Sequence, residues 1–522
     1  MTDPFAIPAL LDAAADGDPD ATALVAAGTP VRFGELSERT SRIAAGLAET
    51  GIGDGDVVLL WMVNRTAWLE AFFACARVGA VAFAVNTRFR ATEVADILRR
   101  TRPRAVFLER RFRNIAFDEL LSDAAGQADW DPPVRVFCDD DAPAGGISLS
   151  DLAESGAPRP AFAPSAETGA VMFTTSGTTS APKFVLHPHG SIVRHAHDVA
   201  RDFALTDEGT VLLQALPYCG VFGFCQATGA LAARRPSILT DTFDAAGAVD
   251  LVRRHAVTHL NATDDMMQAM ADAAEVGALD TLRLVGVASF NRGPDALEAL
   301  SRDFGLPIVG LYGMSEVQAL FARRSRSDGA DRRFAGGGRP VAADASVRVR
   351  DPETQDLLPA GESGEIELRG PSLFREYFGD PDATAAAFTA DGYVRTGDLG
   401  ARDGDGGFTF SARMGDTLRL GGFLVNPAEI GDYIASLDGV ADCQVVAATV
   451  DGRTRPVAFV VPAGRQPPDE AVLLAACRAT LAPFKVPVRI HALDEFPTVA
   501  SPNGTKIQRH VLRRAAQELV EK

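Results

Sequence analysis

Between residues 57 and 109 the chain alternates short apolar runs with amphipathic stretches of helical period: VVLLWMV, RTAWLEAFFACARVGA, AVAFAV, ATEVADILRRTR and AVFLE. That rhythm leaves few architectures open. A strand, a helix and a further strand in succession form a βαβ unit, which implies parallel sheets with helices laid on their faces. The pattern returns later, in SIVRHAHDVARDFAL, TDEGTVLLQALP and DLVRRHAVTHLNA. At 522 residues the chain is too long for one core and should split into two or more domains.

After residue 340 the texture changes. ASVRVRD, GEIELRG and GGFTFS alternate with period two between glycines and aspartates, predicting a small antiparallel region. Beyond it Asn426 can cap a helix with Pro427 at its first position. Two strands follow, CQVVAATV and PVAFVV, then a helix in DEAVLLAACRATL and a last one in IQRHVLRRAAQELV. These are enough for a separate C-terminal domain of about a hundred residues. The boundary is expected between Arg413 and Asp416, giving domains at 1–412 and 417–522 and a hinge at 413–416.

A net charge of −18 argues against nucleic acid or an anionic membrane as a partner, because both need a basic face. Any phosphate site must therefore be local. The six cysteines form no C-x-x-C pair and have no histidine at ligand spacing, which suits reduced cytoplasmic core residues rather than a metal site or disulfides. The N-terminus carries acids early and has no basic region, unlike a secretory signal. The uncharged stretch 211–233 is long enough to span a bilayer, but Pro217 and its glycines favour a strand, loop and helix. Lysine occurs only at 183, 485, 506 and 522 among 51 basic residues. Retained lysines mark places where a compact ammonium serves and a planar guanidinium would not.

One of them, Lys183, closes the loop TTSGTTSAPK after the run AVMF. Small hydroxyl and glycine residues expose donors around a concavity, and the lysine adds positive charge, so the loop reads as a phosphate cradle. It is not the common P-loop, since Pro182 precedes the lysine and Phe184 follows it. A polar surface loop would have a similar composition.

Several separated segments then form one constellation. TTSGTTSAPK resembles the phosphate loop of the adenylate-forming enzymes, the superfamily of AMP-forming acyl-CoA synthetases, adenylation domains and beetle luciferases. LYGMSE at 311–316 resembles its Y-G-x-T-E segment and YVRTGDLG at 393–400 its T-G-D segment. ARMGDTLRLGGFLVNPAEI is similar to its hinge segment, and PFKVPVRI with NGTKIQRHVLR to its terminal G-K-I-x-R-x-x-L-R region. The resemblance covers roughly residues 30–515 in matching order.

The resemblance implies an α/β fold: a large N-terminal domain of parallel-sheet αβα layers with a small antiparallel barrel-like region, then a small mobile α+β C-terminal domain. It also implies a two-step reaction, in which a carboxylate and ATP give acyl-AMP and pyrophosphate, and a thiol, usually coenzyme A, displaces AMP. By the same resemblance Thr175, Ser176, Gly177, Thr178, Thr179 and Lys183 would hold phosphates, and Glu316 would bind Mg²⁺. Tyr312, flanked by Gly313 and Ser315, would stack on adenine; Asp398 would accept from both ribose hydroxyls, and Arg413 would offer its fork to ribose or phosphate. Lys506 would neutralise charge during adenylation, Gly421 and Gly422 would line the coenzyme A path, and Gly415 would be the hinge residue. The acyl pocket is expected from Tyr218, Cys219, Gly220, Phe222, Gly223, Ala288, Gly310 and Met314. Because small residues enlarge a pocket, a bulky, largely apolar acid is the expected substrate.

Departures from the family pattern matter too. Ser180 and Phe184 stand where glycine is usual, and Gly310 where many members have a polar residue. All three are expected to alter contacts to ATP, which opens the reading of an enzyme that mainly uses supplied acyl-AMP. Other readings are acyl transfer to a carrier protein and a non-catalytic nucleotide-binding protein. An ordinary two-step ligase leads them, and a homo-oligomer is compatible with any. His189 lies near His187, His195 and His197, and a satisfied structural histidine fits each of these as well as a catalytic one.

Overall fold

The computed structural model describes residues 3–138, 142–154, 162–175, 182–290, 292–414, 418–420, 423–425, 427–450, 453–481, 483–501 and 504–521. It divides into two compact units, one of Met1–Val347 with Leu368–Val394 and one of Arg348–Glu367 with Arg395–Lys522. Of the positions singled out in the sequence, Ser176, Gly177, Thr178, Thr179, Ser180, Gly415, Asp416, Gly421, Gly422 and Asn426 lie outside the described residues.

In the larger unit VVLLWMV supplies the strand Val57–Trp61, buried at every position. Val58 and Leu60 pack into one core, Leu59 and Trp61 into another. A strand covered on both faces needs no polar residue, which explains the unbroken apolar run. It pairs in parallel with Val81–Ala84 and with Ala105–Leu108. The helices Thr66–Val78 and Ala91–Thr101 make the crossovers, as the βαβ rhythm predicts. On the far side of Val81–Ala84 lies Gly169–Thr174, also parallel. The next strand, Phe184–Pro188, reverses direction, and Glu376–Tyr377 pairs antiparallel with it at the sheet edge.

A second sheet in this unit runs in the order Gly337–Pro340, Gln318–Arg323, Ile308–Met314, Leu284–Ala288, His259–Thr263, Leu212–Gln214, Ser237–Leu239, Thr22–Ala26 and Thr29–Arg32. Its central pairs are parallel. The strands at either end are antiparallel. One core takes side chains from both sheets, Leu60 from the first and Val285 and Ile308 from the second, so the helices that contribute to it serve as a shared layer. Residues 211–233 form a strand, a turn and the helix Val221–Ala232, as expected. Among the described residues no helix is long and apolar enough to cross a membrane.

The smaller unit contains the antiparallel pair Val394–Arg402 and Phe408–Arg413. In the neighbouring segment GEIELRG the period-two pattern does not give one wet face: Glu367 is fully buried beside Ile366 and Leu368. Arg348 and Arg350 each place Nε on a different oxygen of Glu367, at 2.5 and 2.9 Å, so the inward charge is paired on both sides. Further along, Val440–Val450 and Arg453–Pro462 are antiparallel, and Arg489–Ala492 joins in parallel. The helices Pro427–Ala435, Glu470–Thr480 and Arg509–Glu521 contribute side chains to two small cores around this sheet. The last helix begins at Arg509 rather than Ile507, because Ile507 is held opposite Thr498 in the hairpin of Thr498–Ser501 with Gly504–Ile507.

Candidate active site

The loop that closes on Lys183 connects two antiparallel strands, Gly169–Thr174 and Phe184–Pro188. A strand rather than a helix follows it directly. At its stem the Thr175 N–H donates to the Lys183 carbonyl at 3.0 Å, and the Lys183 N–H donates to Thr175 Oγ1 at 3.1 Å. This pair of bonds fixes the width of the stem and the direction in which Lys183 leaves it.

Phe184 does not act as its departure from glycine suggested. Its side chain is 1% exposed and meets the Phe83 ring edge-on at 4.8 Å, within the core. A strand residue adjacent to Lys183 points to the opposite face, so the ring is turned from the loop. It also carries the Arg100 guanidinium, which lies 3.7 Å from the ring centroid and donates to the Pro182 carbonyl at 2.7 Å. Phe184 thus supports the loop's outgoing end.

Lys183 Nζ stands 4.4 Å from the centroid of the Tyr377 ring. The hydroxyl of that tyrosine donates to Glu316 Oε1 at 2.8 Å, and both residues are almost fully buried. Two residues predicted from separate motifs are therefore brought to one side chain, Lys183 over its ring and Glu316 at its hydroxyl. The Phe374 N–H donates to the Glu316 carbonyl at 2.8 Å, and Phe374 packs on Tyr377 at 4.8 Å. His187 Nε2 donates to the Ser315 carbonyl at 2.7 Å, fixing the residue before the glutamate. Burial pushes the His187 imidazole down to about 4, so it holds this bond as the neutral ring. His195 binds the Ala319 carbonyl in the same way at 2.7 Å, and His189 Nδ1 accepts from the Ile7 N–H at 3.1 Å. These contacts are structural.

The parallel strands Leu212–Gln214, His259–Thr263, Leu284–Ala288 and Ile308–Met314 end at one edge, the usual place for a ligand in an α/β sheet. Tyr218, Cys219, Gly220, Phe222 and Gly223 follow the first of them, Ala288 ends the third, and Gly310, Tyr312 and Met314 lie on the fourth. Smallness does not translate into space here. A Cβ on Gly223 would stand 2.3 Å from the Pro217 carbonyl oxygen, on Gly310 2.2 Å from that of Ala335, and on Gly313 2.8 Å from that of Gln318. These glycines admit neighbouring backbone, which replaces the expectation that they widen a pocket. Tyr218 packs on Trp68 at 5.3 Å, and Tyr312 Oη lies 3.9 Å from Met314 Sδ.

In the smaller unit Asp398 and Arg413 face each other across the Val394–Arg402 hairpin. Arg413 Nε lies 3.2 Å from Asp398 Oδ1, and the guanidinium also donates to the Thr396 carbonyl at 2.9 Å. Asp398 is 4% exposed, whereas the Arg413 side chain is about half-exposed at 50%. Lys506 lies on the strand Gly504–Ile507, opposite Val499, and its side chain is outside the described residues. Lys485 pairs with Glu429 in the first turn of Pro427–Ala435, which accounts for another of the retained lysines. Sequence reasoning missed Tyr377 and Arg100, because each acts through a partner from a remote segment.

Residues 11–378 match the family model of the AMP-binding enzyme, and residues 429–502 that of the AMP-binding enzyme C-terminal domain. A CoA ligase of Mycobacterium tuberculosis, named for a methyl-dioxo-octahydro-indenyl propanoyl group, is 31% identical over 96% of this chain and 98% of its own. A feruloyl-CoA synthase from Amycolatopsis is also 31% identical, over 95% and 96% respectively. ATP-bound MatB from Rhodopseudomonas palustris superposes with a TM-score of 0.87 at 27% identity, over 100% of both chains. The matches follow the order in which the motifs occur, from the phosphate loop to the C-terminal region, and the chain accordingly belongs to the AMP-binding enzyme family, as an AMP-forming CoA ligase of the adenylate-forming superfamily.

Proposed function

We propose that this protein joins a bulky, largely apolar carboxylic acid to coenzyme A through an acyl-AMP made from ATP. The observation that carries the adenylating step is the convergence of Lys183 and Glu316 on the Tyr377 ring. An ammonium and a carboxylate so arranged can address a polyphosphate and its counter-ion from two sides. Glu316 offers one oxygen to Tyr377 and has no hydrogen bond to its Oε2 among the described residues, a donor set that suits Mg²⁺, which takes one or two carboxylates and completes its shell with phosphate oxygens and water. When bound, the ion would offset phosphate charge as pyrophosphate departs. Lys183 and the hydroxyls of the loop would grip the β- and γ-phosphates, Tyr312 would cover adenine, and Asp398 with Arg413 would hold the ribose. Lys506 would stabilise charge at the α-phosphate, and rotation about the segment near Gly415 would then admit coenzyme A past Gly421 and Gly422.

One of the three grounds for weak adenylation is weakened, since Phe184 is a core residue packed on Phe83. The complete two-step reaction is therefore the reading we favour over use of supplied acyl-AMP. The bulky acid is supported by the ring-bearing acyl groups in the names of the two relatives at 31% identity. A panel of acids from acetate to aryl and polycyclic propanoates, scored for AMP release with coenzyme A, tests both parts. Aryl or polycyclic acids should lead, and preferential turnover of acetate or propionate would remove the proposed substrate class. Absence of any ATP-dependent turnover alongside efficient conversion of synthetic acyl-AMP would restore the alternative.

The loop stem gives a further expectation. Arg100→Ala should raise the KM for ATP about fivefold, equivalent to ~1 kcal/mol for a half-exposed charged hydrogen bond. Thioester formation from supplied acyl-AMP should stay at the wild-type rate. Arg100→Lys, which keeps the charge without the planar stack, should fall between. Equal loss in both half-reactions would show that Arg100 serves general stability instead.

A further inference from the structure

We infer that Tyr377 is a positioning residue for the metal-binding carboxylate, coupling the grip of Lys183 on phosphate to the orientation of Glu316. This rests on the reading of Glu316 as the Mg²⁺ carboxylate. The Tyr377 hydroxyl donates to Glu316 Oε1 at 2.8 Å, while the face of the same ring lies 4.4 Å from Lys183 Nζ. A carboxylate on a freely rotating side chain presents its oxygens in many directions, whereas one oxygen held by a buried phenol leaves the other aimed in one direction. Outer-shell donors of this kind orient metal ligands, and removing them typically lowers metal affinity about 10–100-fold.

The residue is held through its backbone and by a neighbouring ring. Its backbone pairs with Val185 in the strand that follows Lys183, and its N–H donates to Thr384 Oγ1 at 2.9 Å. Phe374 packs against it and ties the Glu316 backbone through the 2.8 Å bond to the Glu316 carbonyl. Phe388 stacks on Phe374 in turn, at 5.0 Å between centroids. A tyrosine of this rigidity has little freedom to lose when ligand binds. The electron-rich ring face also steadies the Lys183 ammonium through a cation–π contact. One side chain thus sets the spacing between the cation that meets phosphate and the anion that meets the metal.

The test separates hydroxyl from ring. Binding of a non-hydrolysable ATP analogue is measured by calorimetry with Mg²⁺ and with EDTA, for wild type, Tyr377→Phe and Tyr377→Leu, beside thermal midpoints for each. Tyr377→Phe keeps the ring and should lose about tenfold of the Mg²⁺-dependent gain in affinity, with metal-free binding unchanged. Tyr377→Leu should lose that gain and weaken metal-free binding as well, because the Lys183 contact goes with the ring. A Tyr377→Phe protein with the wild-type Mg²⁺ response overturns the inference, as does an equal loss with and without metal. If wild type itself binds the analogue equally in Mg²⁺ and EDTA, the assignment of Glu316 to the metal fails, and this inference fails with it.

Discussion

Glu316→Gln is expected to lower ATP-dependent acyl-adenylate formation by about 10²–10³-fold, the range found when a preorganised charge-stabilising group is lost. The substitution keeps the shape and an oxygen that can still accept from Tyr377, but removes the negative charge that would draw Mg²⁺ to the phosphates. It should therefore act on chemistry more than on folding. Pyrophosphate release measures the first half-reaction, and thioester formation from synthetic acyl-AMP and coenzyme A measures the second. The second should remain within a few-fold of wild type, since no β- or γ-phosphate is present in it. Comparable losses in both would place Glu316 in the architecture rather than in the adenylating step. A rate of pyrophosphate release within tenfold of wild type would remove it from the metal site altogether.

Acid lability is the second large effect. Burial lowers His187, His189, His195 and His259 each to about 4, against an ordinary value near 6.5. The unfolded chain takes up protons at these rings well before the folded one does. Their contribution to stability is therefore complete above pH ~6.5 and is lost as pH falls from there toward 4, at up to about 1.4 kcal/mol per pH unit for each ring. For a fully buried ring such as His195 the total is on the order of 3 kcal/mol. Burial raises the carboxyls of Glu70 and Asp202, which work in the opposite direction, so the bulk curve alone does not isolate the histidines. The decisive measurement is a difference: urea midpoints from pH 7.5 to 4.5 for wild type and for His195→Gln, which can still donate to the Ala319 carbonyl. The variant should lose stability less steeply by close to one proton. Parallel curves would contradict the buried neutral state of His195.

How much of this was legible beforehand follows from which forces are local. The βαβ rhythm of residues 57–109 is written in apolar periodicity, and the strands Val57–Trp61, Val81–Ala84 and Ala105–Leu108 fall where it places them. Lys183, Glu316, Asp398 and Arg413 were singled out because each belongs to a short segment that resembles a family motif. Even there the sequence misjudged direction. Phe184 looked like an obstruction in the loop, but strand alternation sends its ring into the core against Phe83. Gly223 and Gly310 looked like open space, but the carbonyls of Pro217 and Ala335 stand where their side chains would begin.

The sequence by itself determined the fold class and the family, because these depend on periodicity and motif order along the chain. Tertiary structure alone decided that Tyr377 would stand between Lys183 and Glu316, and that Arg100 would brace Pro182. Residues 100, 183, 316 and 377 are remote from one another in the chain, and nothing in the local preferences of any one of them names the others. Strand pairing between Glu376–Tyr377 and Phe184–Pro188 brings Tyr377 to Lys183, and the bond from Phe374 to the Glu316 backbone brings it to the carboxylate. Such contacts are chosen by the closing of the whole hydrophobic core, a collective term that no short stretch of sequence contains.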